Sequence, residues 1–276
     1  MLGRLMKYEW KYIWKKLLIF AGVLLAATGI GLVSTGLIGK LHEQDEFAAF
    51  AIGMLGFMFY YTLIMGASIG MSVIVAIRFY KSVYGEEGYV THTLPVSGRE
   101  ILWSHVLVNG FAVFSVGLIM QISLSLIMND FFRGIFDTAT LPGLGGVGNN
   151  GNIYAQMLGL SGVGAWVVIV LYLAIGTLCS VMMIYASVVL GQKWKKHKVF
   201  GAVVSYILIN GSMVLLSWII LIPFMIRTIM GGDFFADGPS NITGGFLWIA
   251  LAIDLLYGVI MYLIVDHGLT KRLNLE

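Results

Sequence analysis

The groups in this sequence that could do chemistry are few and scattered. There are five histidines and one cysteine, Cys179, which lies inside an apolar run with no second cysteine to pair with. It reads as a small buried core residue. His92, His105 and His197 have no partners at metal-ligand spacing, and no metal site is expected. The nearest approach to paired catalytic carboxylates is Glu86-Glu87. No G-x-x-x-x-G-K-S/T loop occurs: Gly36-Leu37-Ile38-Gly39-Lys40 has the wrong spacing, and the glycine run beside Asn149 and Asn150 lacks the Lys-Ser/Thr that must follow. The chain therefore has no phosphate cradle of that kind, and no cofactor is expected in it. One acid, Asp254, stands deep in an apolar run, where an ionisable group is by default a functional candidate. It could line a substrate path or form a structural pair. Asn109, Gln121 and Asn210 are polar residues in similar surroundings, suited to bonding between helices and second candidates for the same path.

The elements that must position these groups follow from composition. Of 276 residues, 59% are apolar and 11% charged, against about 25% charged in soluble domains. That excludes a soluble core. Continuous runs, rather than short alternating segments, argue against a membrane β-barrel. The runs 17–38, 48–77, 101–128, 157–190, 199–226 and 245–265 are each long enough to cross a hydrocarbon layer of roughly 30 Å as a helix. The expected fold is an all-α integral membrane protein with six transmembrane helices and an N-terminal amphipathic interfacial helix. Fourteen of the seventeen Lys and Arg fall on one side of this layout, and only Lys40, Arg133 and Arg227 on the other. Positive charge is retained in the cytoplasm, so both termini are expected there. The net charge of +3 conceals this polarity and implies no nucleic-acid partner.

Three regions are expected: an interfacial segment 1–16, a transmembrane domain 17–265 and a cytoplasmic tail 266–276. In the first, Lys7, Lys11 and Lys15 recur at i+4, opposite an apolar side that includes Trp10, Ile13 and Trp14. Such a helix suits the headgroup layer. No small-residue cleavage site follows it, so it does not read as a signal peptide. The outer loops 129–156 and 227–244 are rich in glycine or turn residues and lack the pattern of a folded domain.

The cytoplasmic segment 78–100, RFYKSVYGEEGYVTHTLPVSGRE, is the most informative. It combines Glu86 and Glu87 with Tyr84 and Tyr89. Pro95 biases Leu94 away from helix. Ser97 and Glu100 form a capping box that opens the next helix. A short, rigid polar insert of this kind suits a surface that receives force from a soluble partner.

Phe79-Tyr80-Lys81, Glu87-Gly88-Tyr89 and Thr93-Leu94-Pro95-Val96-Ser97, with the opening Met1-Leu2-Gly3-Arg4-Leu5 and Lys7-Tyr8-Glu9, resemble type-2 ABC export permeases of Gram-positive bacteria. The six-span layout is similar over the whole chain. Exporters of phenol-soluble modulins are the nearest comparison, and bacteriocin and lantibiotic immunity exporters are similar. The resemblance implies a plasma-membrane permease that is not itself an enzyme. It would work as a homodimer or heterodimer with two copies of a separate ATPase subunit that binds ATP and Mg. Tyr84, Glu86, Glu87, Tyr89, Thr93, Leu94 and Pro95 would belong to the coupling helix that docks on that ATPase. Residues 1–16 would be the connecting helix, and 193–198 a second contact. Amphipathic peptides would be the substrates.

Two other classes compete. An intramembrane CAAX-type protease would use paired glutamates, but the Arg expected after Glu86-Glu87 is replaced by Gly88, Tyr89 and Val90. An ion-coupled secondary transporter would carry more buried charge than Asp254 and often internal repeats.

Overall fold

The computed structural model describes residues 2–41, 46–85, 88, 98–136, 158, 160–194, 197–230 and 239–271. Six helices hold nearly all of them: α1 Leu2–Leu41, α2 Glu46–Val83, α3 Gly98–Phe136, α4 Gly162–Gly191, α5 Lys198–Met230 and α6 Pro239–Lys271. Among the described residues there is no strand. Every helix contains an apolar segment of 24 to 33 residues, more than the roughly 20 that a bilayer requires. The chain has the make-up of a multi-pass helical membrane protein.

The helices overrun the apolar runs that predict them. α1 has 40 residues, about 60 Å at 1.5 Å per residue, or twice the hydrocarbon thickness. Residues 2–16 are helical and continue into the first span without a break at residue 16. α4 starts at Gly162 rather than 157, because Ser161 caps it by accepting the Gly164 N–H at 3.2 Å. Pro223 lies inside α5 and removes one hydrogen bond of the helical ladder there.

Side-chain pairs set the order of packing. α1 runs antiparallel to α2, with Glu9 on Arg78 and Ser34 against Gly56. α1 runs parallel to α3, with Glu9 near His105, Thr28 on Ser123 and Gly31 against Ile127. α3 meets α4 antiparallel through Asn109 and Tyr185. α4 and α6 are parallel, with Cys179 on Gly258 and Val189 on Gly268. α5 turns back along α4, bringing Ala202 onto Gly191. A Cβ on Gly258 would stand 2.6 Å from the Cys179 sulfur, so α4 and α6 touch there only because the residue is glycine. The start of α1 and the end of α6 lie at the same end of the bundle. That end also holds Lys7, Lys11, Lys15, Lys81, Arg99 and Lys193, and is called here the basic end.

Packing is uneven along the bundle axis. Near the basic end, α4 is buried on every side from Val181 to Val189. In its opposite half, Val163, Val167 and Leu171 are exposed, as are Ile122 and Leu126 of α3. α4 is therefore enclosed near the basic end and less so in its first half, while α1, α2 and α3 stay in close contact at the far end through Ser34 on Gly56 and Gly31 on Ile127.

Candidate functional site at the basic end

At the basic end a buried polar cluster joins α1, α2, α3 and α4. Glu9 lies on the same side of α1 as Ile13, Phe20 and Ala27, facing the interior, and is only 6% exposed. Arg78, in the last turns of α2, grips it with both arms. Nε donates to Oε2 at 2.9 Å and Nη2 to Oε1 at 2.6 Å. The guanidinium also sits over the Tyr12 ring, 4.4 Å from its centre, and Lys16 Nζ lies 3.6 Å from that centre. A buried carboxylate held by a two-point fork and an aromatic face is fixed in rotation as well as position.

His105 of α3 completes the cluster. Its Nε2 is 3.0 Å from Ser82 Oγ. Its Nδ1 is 3.2 Å from Glu9 Oε2 without the alignment of a hydrogen bond, so this contact is electrostatic. Phe79 stacks on Tyr185 of α4 at 3.9 Å and meets His105 edge-on at 5.9 Å. The Tyr185 hydroxyl donates to the His105 carbonyl at 3.2 Å and accepts from Asn109 Nδ2 at 2.7 Å. That direction fixes the Asn109 amide, whose Oδ1 has no partner among the described groups. Ser82, His105 and Glu9 stand in the order hydroxyl, imidazole, carboxylate, but all three are buried. Arg78 engages both oxygens of Glu9, which suits a lock better than an acid–base catalyst. Among the described residues, no group of three His, Cys, Asp or Glu could hold a metal ion.

A second tie crosses the same end. Arg99, in the first turn of α3, donates from Nε and Nη2 to the two oxygens of Asp266 on α6, both at 2.9 Å. Trp103 and Tyr262 pack beneath it at 5.9 Å. This pair is solvent-exposed on the Arg99 side. Farther along the bundle, Ser123 Oγ accepts from Thr28 and bonds the Tyr60 hydroxyl, each at 2.7 Å.

The residues expected from sequence distribute as follows. Tyr84 packs against the core at the end of α2. Its N–H and that of Gly85 both bond to the Tyr80 carbonyl, and burial pushes its hydroxyl up to about 12. Glu86, Glu87, Tyr89, Thr93, Leu94 and Pro95 lie outside the described residues. Lys7, Lys11 and Lys15 are exposed along one side of α1, beside the partly exposed Trp10 and Trp14. Trp10 also leans on Phe111 of α3 at 5.6 Å. Asp254 is half-buried between α4 and α6, hydrogen-bonded to Tyr172. Asn109 belongs to the basic-end cluster. Gln121 is half-buried on α3. Asn210 donates to the Tyr206 carbonyl of its own helix at 3.3 Å, so that bond does not link helices. Asn109, Asn210 and Asp254 thus each have a hydrogen-bond partner outside the candidate path.

Glu9, Arg78, Ser82, His105 and Tyr185 form the site that sequence reasoning did not assemble. One signal was present: Glu9 is an acid on the apolar side of an otherwise basic segment. Its partner stands 69 positions away. No known protein family, curated protein or solved structure matches this chain.

Proposed function

We propose that this chain is the transmembrane permease subunit of an ATP-driven exporter of the ABC class. It moves amphipathic or hydrophobic substrates, with peptides such as cytolytic toxins or bacteriocins as the favoured class. A separate ATPase subunit, present in two copies, binds ATP and Mg and supplies the work. The observation that carries this reading is the anchoring of both helix ends that border segment 86–97. α2 enters the segment held by Arg78 on Glu9 and by Phe79 on Tyr185. α3 leaves it held by Arg99 on Asp266. A segment clamped at both ends passes a push into α1, α4 and α6 instead of absorbing it. Co-purification of an ATPase subunit with the tagged permease tests the proposal. Glu87→Ala and Tyr89→Ala should weaken capture and coupled hydrolysis at normal expression. Unchanged capture and unchanged hydrolysis would remove the coupling role.

A second permease chain belongs to this reading. On the outward side of α1, Leu18, Leu25 and Leu32 alternate with Gly22, Gly29 and Gly36, all on a seven-residue repeat. The three leucines are exposed, and a Cβ on any of the three glycines would meet nothing within 4 Å. Leucine knobs beside open glycine holes make a face that a matching helix can fill.

The buried ionisable side chains of Glu9, Arg78 and His105 favour one competing class, the ion-coupled transporter, which needs such groups inside the bundle. Proteoliposomes without ATP separate the two. Uptake of a labelled amphipathic peptide driven by an imposed proton gradient alone would overturn the exporter reading.

A further inference from the structure

Glu9 occupies a place that stability alone does not demand. Replacing a buried ion pair by apolar residues of similar volume is commonly neutral or favourable. What the pair supplies is geometry. The two-point grip of Arg78 on Glu9 fixes the end of α2 against the start of α1 in both position and rotation. Ser82 and His105 bring α3 to the same point. The grip is five residues before the end of α2, immediately ahead of segment 86–97.

We propose that Glu9 is a positioning residue for transport, the joint that makes the start of α1 and the end of α2 move as one body. This rests on the exporter reading. When the ATPase displaces segment 86–97, Arg78 carries the displacement to Glu9, and the 40-residue α1 turns with α2 rather than sliding past it. Glu9 acts on α2 through Arg78 and does not touch substrate.

The test uses the whole permease with its ATPase in nanodiscs. Cys179→Ser removes the native thiol, and spin labels are placed at Lys7 and Lys81, which are both exposed. The Lys7–Lys81 distance distribution is measured without nucleotide and with ATP–vanadate. In the parent protein it should be narrow and the same in both states. In Glu9→Gln it should broaden at least about twofold and change with nucleotide. Permease-stimulated ATP hydrolysis should fall at least about fivefold while the ATPase still co-purifies. Arg78→Lys keeps the charge but loses the two-point grip, and should give the same pattern if Glu9→Gln does not fold. A parent distance that shifts with nucleotide overturns the joint. So does a loosened Glu9→Gln protein with parental hydrolysis, or a folded Glu9→Gln protein identical to the parent. Failure of any ATPase to bind the parent protein sinks the exporter reading instead, and is seen before a variant is made.

Discussion

Two acids show how residue type and surroundings divide the work. Asp254 drew attention because it interrupts an apolar run, yet it is hydrogen-bonded to Tyr172 of α4. Asp254→Asn should therefore leave export near the parental rate, measured as peptide uptake into inverted vesicles. Glu9 was hidden among lysines and is the better-held charge. Glu9→Ala strips the buried Arg78 of the carboxylate it grips, which costs about 3–5 kcal/mol. Thermal unfolding in detergent should register it as a large loss. Arg99→Ala breaks an exposed pair and should change the same melt little. Tyr84 offers a titration. Its folded value is raised from 10.0 to about 12 by burial. The stability tied to its neutral form is present below pH 10 and is lost as pH rises toward 12. Melts taken between pH 9 and 11 should fall more steeply for the parent than for Tyr84→Phe.

At the scale of the element, six helices were legible because apolar runs of this length have one stable solution in lipid. Their ends were less legible. Apolarity marks where a helix can cross the membrane, whereas capping and packing decide how far it continues. α1 extends to Leu2 because Glu9, Trp10 and Ile13 find partners on α2 and α3. The basic-end cluster could not be assembled from local spacing, since its members are spread over four helices. Glycines give contrasting predictions. Gly258→Leu would drive a side chain into Cys179 of α4, costing about 1–3 kcal/mol of stability. Gly29→Leu meets open space and should leave the single chain's melting unchanged. On the two-chain reading it should still shift the detergent-solubilised permease toward monomer in light scattering.

At the scale of the whole molecule, alternating helix directions place the start of α1, the α4–α5 turn and the end of α6 together. With Cys179→Ser as background, cysteines at Lys7 and Lys193 should react with a membrane-impermeant maleimide from the same side. On the charge-based orientation, that side is the cytoplasm, and reaction of either in intact cells would reverse it. The deeper burial of α4 near the basic end also predicts uneven exchange. Amides of residues 181–189 should be the last in α4 to take up deuterium.

The grip of Arg78 on Glu9 also bears on how the chain is made. The ribosome produces the acid 69 residues before its partner, so the first helix reaches the membrane before the residue that grips Glu9 exists. The grip can close only after α2 has been threaded back across, which makes the α1–α2 hairpin the first unit in which Glu9 meets Arg78.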